Sequence, residues 1–131
     1  MKRTSVNPWD WSLKFGFSQA QVIEGATRQV ECSGQTSVDA DGNPQHPGDM
    51  RSQINLALDN LETVINEAGL ELSNVVRLRV YATDVDEALK NFDLVGQRFG
   101  PHKVTPAMTL LGVTRLAMSD LLFEIEATAT A

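Results

Sequence analysis

The sequence predicts a two-layer α+β fold, a mixed β-sheet carrying two helices on one face. Three observations lead there: two segments with apolar residues at helical spacing, several segments of strand-like alternation, and the order in which they follow one another. The 131 residues suggest a single domain spanning 1–131, with 1–12 as an irregular N-terminal arm. Trp9 and Trp11 in that arm are expected to pack on the body or on a neighbour.

From Phe15 to Ser33 the pattern suits two strands, FGFSQAQVIEG and, after a turn at Gly25, TRQVECSG. Residues 38–48, rich in Asp, Gly, Asn and Pro, read as a loop. Ile54, Leu58, Leu61, Ile65 and Ala68 then recur every three or four residues, with Asp49 as N-cap and Gly69 ending the helix in a left-handed conformation. A strand follows at about 74–83. Val76, Leu78, Val80 and Ala82 share one side of it, with Val75, Arg77, Arg79 and Tyr81 on the other. The second helix is expected over about 86–99. Asp84 and Glu87 stand at capping-box spacing, Leu89, Phe92, Val95 and Phe99 form its buried stripe, and Gly100-Pro101 stops it. Strands at about 104–113 and 121–130 close the chain. In the last, Phe123, Ile125, Ala127 and Ala129 alternate with Glu124, Glu126, Thr128 and Thr130.

Two helices cover only one side of such a sheet. The parity places Val75, Tyr81, Met108, Leu110, Gly112, Glu124 and Glu126 on the other. An apolar patch of that size would need a cover, and subunits packed face to face would supply it while enclosing clefts for small molecules.

Composition excludes several functions. Eleven Lys and Arg against 17 Asp and Glu give a net charge of −6, with no basic run to displace counterions from phosphates, so no nucleic-acid role is expected. Cys32 is the only cysteine, which forbids an intrachain disulfide and fits a reducing compartment. No apolar run approaches the roughly 18 residues of a membrane span. A cytoplasmic protein without membrane association is therefore expected. His46 and His102 have no partner at metal-ligand spacing, so no metal site is expected, and Ser33 has no histidine in view to activate it.

Three stretches together resemble the RidA/YjgF family: SGQTSV at 33–38, LDNLETVINEAGLELSNVVRLRVYATDVD at 58–86, and PAMTLLGVTRLAMSDLLFEIEATA at 106–129. With GFSQ at 16–19, the resemblance spans about residues 15–130. It implies a chorismate-mutase-like fold and a homotrimer whose sheets form a central barrel, with ligand clefts at the subunit junctions. It also implies hydrolysis of reactive 2-imino acids to 2-oxo acids and ammonia without metal or organic cofactor. Glu124 matches the glutamate that positions the attacking water, and Ser33 and Gly34 match the backbone that helps hold substrate. Phe17 stands where active members often carry tyrosine, and Leu110 where cysteine is common.

The arginine that grips the substrate carboxylate is replaced by Met108. A guanidinium offers two charge-assisted bonds and a thioether none, a loss of about 1.5–3 kcal/mol. The usual 2-imino-acid reaction is not expected to survive that change. Arg77 and Arg79 share the open side by parity, and Arg79 is the candidate replacement cation for ligand binding. Glu124 is either the water-holding base in an apolar cleft or an outward glutamate without chemistry. Met108 and Leu110 are either packing residues or the lining of a different ligand's pocket. Three functional readings stay open: a divergent imine or enamine deaminase, a non-catalytic metabolite-binding or chaperone-like trimer, and an endoribonuclease.

Overall fold

The computed structural model describes residues 1–131. Ten regular elements follow in the order β1 (Lys2–Val6), β2 (Ala20–Glu24), β3 (Gln29–Glu31), β4 (Gln35–Thr36), α1 (Met50–Glu67), β5 (Val75–Ala82), α2 (Val85–Lys90), α3 (Asp93–Phe99), β6 (Ala107–Gly112) and β7 (Phe123–Thr130). The main sheet runs β3-β7-β5-β6, with β4 also on β7. β5 and β6 are parallel and the other pairs antiparallel, so the mixed sheet expected of an α+β fold is present.

The three helices pack on one face of it. Ile54, Ala57, Leu58, Leu61 and Ile65 of α1, Ala88 of α2, and Val95 and Phe99 of α3 form one core with Leu78, Val80, Phe123, Ile125 and Ala127. Helix α1 starts where expected, with the Asp49 carboxylate accepting from the Ser52 N–H at 3.0 Å, and Gly69 takes the left-handed φ of 83°. Gln53 is fully buried in this helix. Its side-chain NH2 donates to the carbonyls of His46 and Asp120, and its carbonyl accepts from the Leu122 N–H at 2.8 Å. That clasp fixes the entry to β7.

Several expectations need correction. The arm at 1–12 is not wholly irregular, because residues 2–6 form β1, which pairs antiparallel with β2 in a small separate sheet. The first predicted strand is correspondingly shorter. Residues 13–15 make a 3₁₀ turn, Gly16 adopts a φ of 83°, and only Ala20–Glu24 is extended. Trp9 and Trp11 remain mostly exposed, Trp11 touching Phe17 edge-on. The second helix is interrupted at Asn91-Phe92. There the N–H groups of Asn91, Phe92, Leu94 and Val95 reach back three residues instead of four. Leu89 stays in line with Phe92, Val95 and Phe99 but is 53% exposed, because there the stripe faces an open cavity.

The largest correction concerns the two sheet faces. A bulge in β5 makes the pairing with β7 jump from Val75–Ala129 to Arg77–Thr128. Both Val75 and Val76 are therefore buried. Met108 and Leu110 of β6 lie opposite Leu78 and Val80, which puts them on the helix-covered face, and Gly112 follows Ala82 there. The open face carries Arg77, Arg79, Tyr81, Glu124, Glu126 and Thr128 as parity predicts, with Thr109 and Leu111 in place of Met108, Leu110 and Gly112. It is polar, and the apolar patch expected there does not form.

Candidate functional site

The sequence-derived site residues fall into two groups on opposite sides of the sheet. Phe17, Met108 and Leu110 belong to the first. They line a cavity of ≈ 930 Å³ between the edge strand β6, the helices α2 and α3, and the turn at residues 13–17. Leu78, Val95 and Phe99 are shared between this cavity and the core, while Leu89 and Phe92 add further apolar wall. Its acidic lining residue, Asp93, is held by a two-pronged bond from Arg51 at 2.9 and 3.0 Å, which keeps its carboxyl below the usual range. Lys14 and Lys103 also line the cavity, both exposed. The substitution of methionine at 108 therefore leaves no cation among the strand residues of this cavity.

The second group is Glu124, Ser33 and Gly34, with Arg79 nearby. Glu124 is the second residue of β7 and lies between Thr36 of β4 and Tyr81 of β5. Ser33 and Gly34 form the link between β3 and β4. A Cβ on Gly34 would sit 2.6 Å from the Glu124 carboxyl carbon and 2.9 Å from its Cγ and Oε1. Only a bare α-carbon lets Glu124 lie across this link. The link's far end is tethered to α1, where the Asn60 side-chain amide donates to the carbonyls of Thr36 and Val38 at 2.9 and 3.0 Å.

Two carboxylates share the open side of β7 but differ in surroundings. Tyr81 donates its hydroxyl to the Glu126 carboxylate, a bond that raises the Tyr81 pKa. Glu124 takes no such bond. Partial burial, then the charge of Glu126, pushes its carboxyl above the ordinary glutamate value. A carboxylate so raised, and not engaged by its neighbours, is suited to accept a proton from water. Arg79 pairs in register with Glu126 and faces the same side, whereas Arg77 donates to Thr109 Oγ1 at 2.6 Å.

Sequence reasoning missed Tyr81 as the partner of Glu126, although alternation had put it in phase with both glutamates. It also read Leu89, Phe92 and Phe99 as core alone, where they equally wall the cavity. No three His, Cys, Asp or Glu side chains gather as a metal-holding group. No helix is long and apolar enough to cross a membrane.

Comparison with known proteins identifies the architecture. The family model described as Endoribonuclease L-PSP matches residues 14–131. A RutC family protein of Pyrococcus abyssi is 32% identical over 97 residues, 74% of each chain. The 2-iminobutanoate/2-iminopropanoate deaminase of Escherichia coli is 31% identical over 84 residues, 63% of this chain and 65% of that one. A crystal structure of a member of the conserved Rid protein family from Yersinia pestis superposes with a TM-score of 0.85 at 32% identity, over 100% of both chains. A mixed sheet with helices on one face, the SG link beneath the first glutamate of EIE, and a match over nearly the full length agree: the chain belongs to the RidA/YjgF family.

Proposed function

We propose that residues 1–131 form one domain that assembles as a cytoplasmic homotrimer, binds a small organic molecule in clefts between subunits, and hydrolyses an imine or enamine bond there without a cofactor. The observation that carries this reading is the division of the site. Phe17, Met108 and Leu110 face one side of the sheet, Ser33, Gly34 and Glu124 the other end and side, so one chain presents two half-sites. A second copy that laid its Gly34–Glu124 edge against the mouth of the cavity would join them. The relationship to an iminobutanoate deaminase supports the reaction type. The polar open face does not supply the apolar drive to associate that sequence parity had suggested, so assembly rests on the half-sites and on the family.

In the proposed reaction Glu124 accepts a proton from water as its oxygen adds to the imine carbon. Glu124 passes that proton to the nitrogen, and the carbon–nitrogen bond of the resulting carbinolamine breaks as its hydroxyl proton is also handed to the nitrogen, giving a carbonyl compound and ammonia. Arg79, on the open face with Glu124, is the candidate to receive a ligand anion in the absence of a strand arginine at 108. Ser33 and Gly34 offer backbone to the ligand, and Phe17 offers a ring face.

Two measurements test the reading. Sedimentation at micromolar concentration is expected to give three times the mass of one chain, and a stable lone subunit would overturn it. Imines generated by an amino-acid oxidase are expected to disappear faster with the protein present, and Glu124→Gln to remove the acceleration. The apolar lining around Met108 favours a second reading, metabolite binding without turnover. Ligand-induced thermal stabilisation with no acceleration of any imine would select it. RNA cleavage by the purified trimer that depends on Glu124 would overturn both.

A further inference from the structure

We infer that the ligand of this site is a molecule with a bulky apolar body, aromatic or branched aliphatic, and without a buried carboxylate. This rests on the reading above for what happens at Glu124, but the preference itself is set by a cavity lying within one chain.

Three observations carry it. The first is size: ≈ 930 Å³ is far more than a three- or four-carbon imino acid fills, and it lies at the upper end of ordinary small-molecule sites. The second is the wall. Leu89, Phe92, Phe99, Met108 and Leu110 present aliphatic carbon, ring and thioether around the space. Apolar surface of this kind rewards a ligand in proportion to the apolar area removed from water. Met108 also adapts to irregular ring shapes and makes favourable sulfur–aromatic contacts. The third is charge. A carboxylate pressed against the apolar side chains would lose part of its hydration, and those side chains return no hydrogen bond for it. Asp93 would repel it if Arg51 were not already bound there, and with that bond made the Arg51 guanidinium is engaged. Lys14 and Lys103 are exposed, so an anionic group is accommodated only at the mouth.

Placed against the reaction proposed above, the substrate is an imine or enamine whose carbon carries a large apolar substituent. The substituent occupies the Met108 cavity and the C=N group is turned toward the mouth. Hydrolysis adds one water across C=N and releases a ketone or aldehyde and ammonia. The reaction that supplies such a substrate is one that oxidises or eliminates from an amine bearing an aromatic or branched side chain.

The test uses unreactive carbonyl analogues and isothermal calorimetry on the full chain. 4-Phenyl-2-butanone is expected to bind at least about tenfold more tightly than 2-oxobutanoate, a difference of about 1.4 kcal/mol. Met108→Arg is expected to invert that order by giving the carboxylate a partner. Leu89→Lys, a change at an exposed position on the wall, is expected to weaken the phenyl ketone while leaving the fold intact, and guards against misfolding of the strand variant. Equal binding, a preference for 2-oxobutanoate in the unmodified chain, or a phenyl-ketone affinity indifferent to both substitutions would overturn the inference. The two proposals fail separately. A trimer that hydrolyses only short 2-imino acids would sink this inference and spare the proposed reaction. A chain that sediments as a monomer and still prefers the phenyl ketone would do the reverse.

Discussion

Glu124 and Gly34 behave as one unit at the level of single residues. The glutamate crosses a position where a methyl group would overlap its carboxyl, so Gly34→Ala must swing the side chain away. Because Gly34 is exposed, the fold should tolerate the change. Imine hydrolysis is expected to fall about tenfold or more through lost alignment, with the melting temperature moving by less than about 2 °C. The protonation of Glu124 gives a second expectation. Burial and Glu126 raise its folded pKa above the unfolded value, so the native state binds the extra proton. Its contribution to stability is then present at acid pH and is lost as pH rises from the ordinary glutamate range through the raised value. Glu124→Gln, which removes the charge, is expected to raise the melting temperature at pH 7 by an amount that shrinks toward zero on acidification. Melting curves from pH 4 to pH 8 check the sign. Glu124, Ser33 and Gly34 could be singled out as candidates because they lie in short contiguous motifs, SGQ and EIEA. Their contact was not legible, because it depends on β4 being only two residues long and on the register that sets Thr36 against Glu124.

Among the elements, long periodic segments were easiest to read. Helix α1 and strands β5 and β7 lie close to where spacing and alternation put them, since each buries a continuous stripe and tolerates no shift of phase. The errors arose where a local irregularity breaks the period. One extra valine in β5 turns Val75 inward, and three-residue backbone bonds at Asn91-Phe92 split the one expected helix into two. Neither has a composition signal. The face of Met108 and Leu110 was misassigned for a related reason: alternation within β6 says which residues go together, but only its register on β5 says on which side. Gln53 offered a clue, a polar side chain in the helical stripe between Met50 and Ala57. Its three hydrogen bonds join α1 to the strand that carries Glu124. Gln53→Leu would leave the Leu122 N–H and two carbonyls without those partners. A destabilisation of about 1–3 kcal/mol is expected, readable from urea denaturation midpoints.

For the molecule as a whole, family and fold were legible because they are spread over a hundred residues, while the chemistry of the uncovered β-face was legible only in part. That face presents the two arginines, two glutamates and tyrosine that parity put there, without the Val75, Met108 and Leu110 that were to make it apolar. If sister subunits meet across it, their contact is an ionic lattice rather than an oily plug, with arginines of one copy free to find acids of another. Such an assembly answers to dissolved ions. Near 1 M salt, where charges are felt over only about 3 Å, it is expected to come apart at protein concentrations that hold it together at 0.1 M. Sedimentation across that range would show it, and a subunit mass that never changes would mean that something other than opposite charge joins the copies.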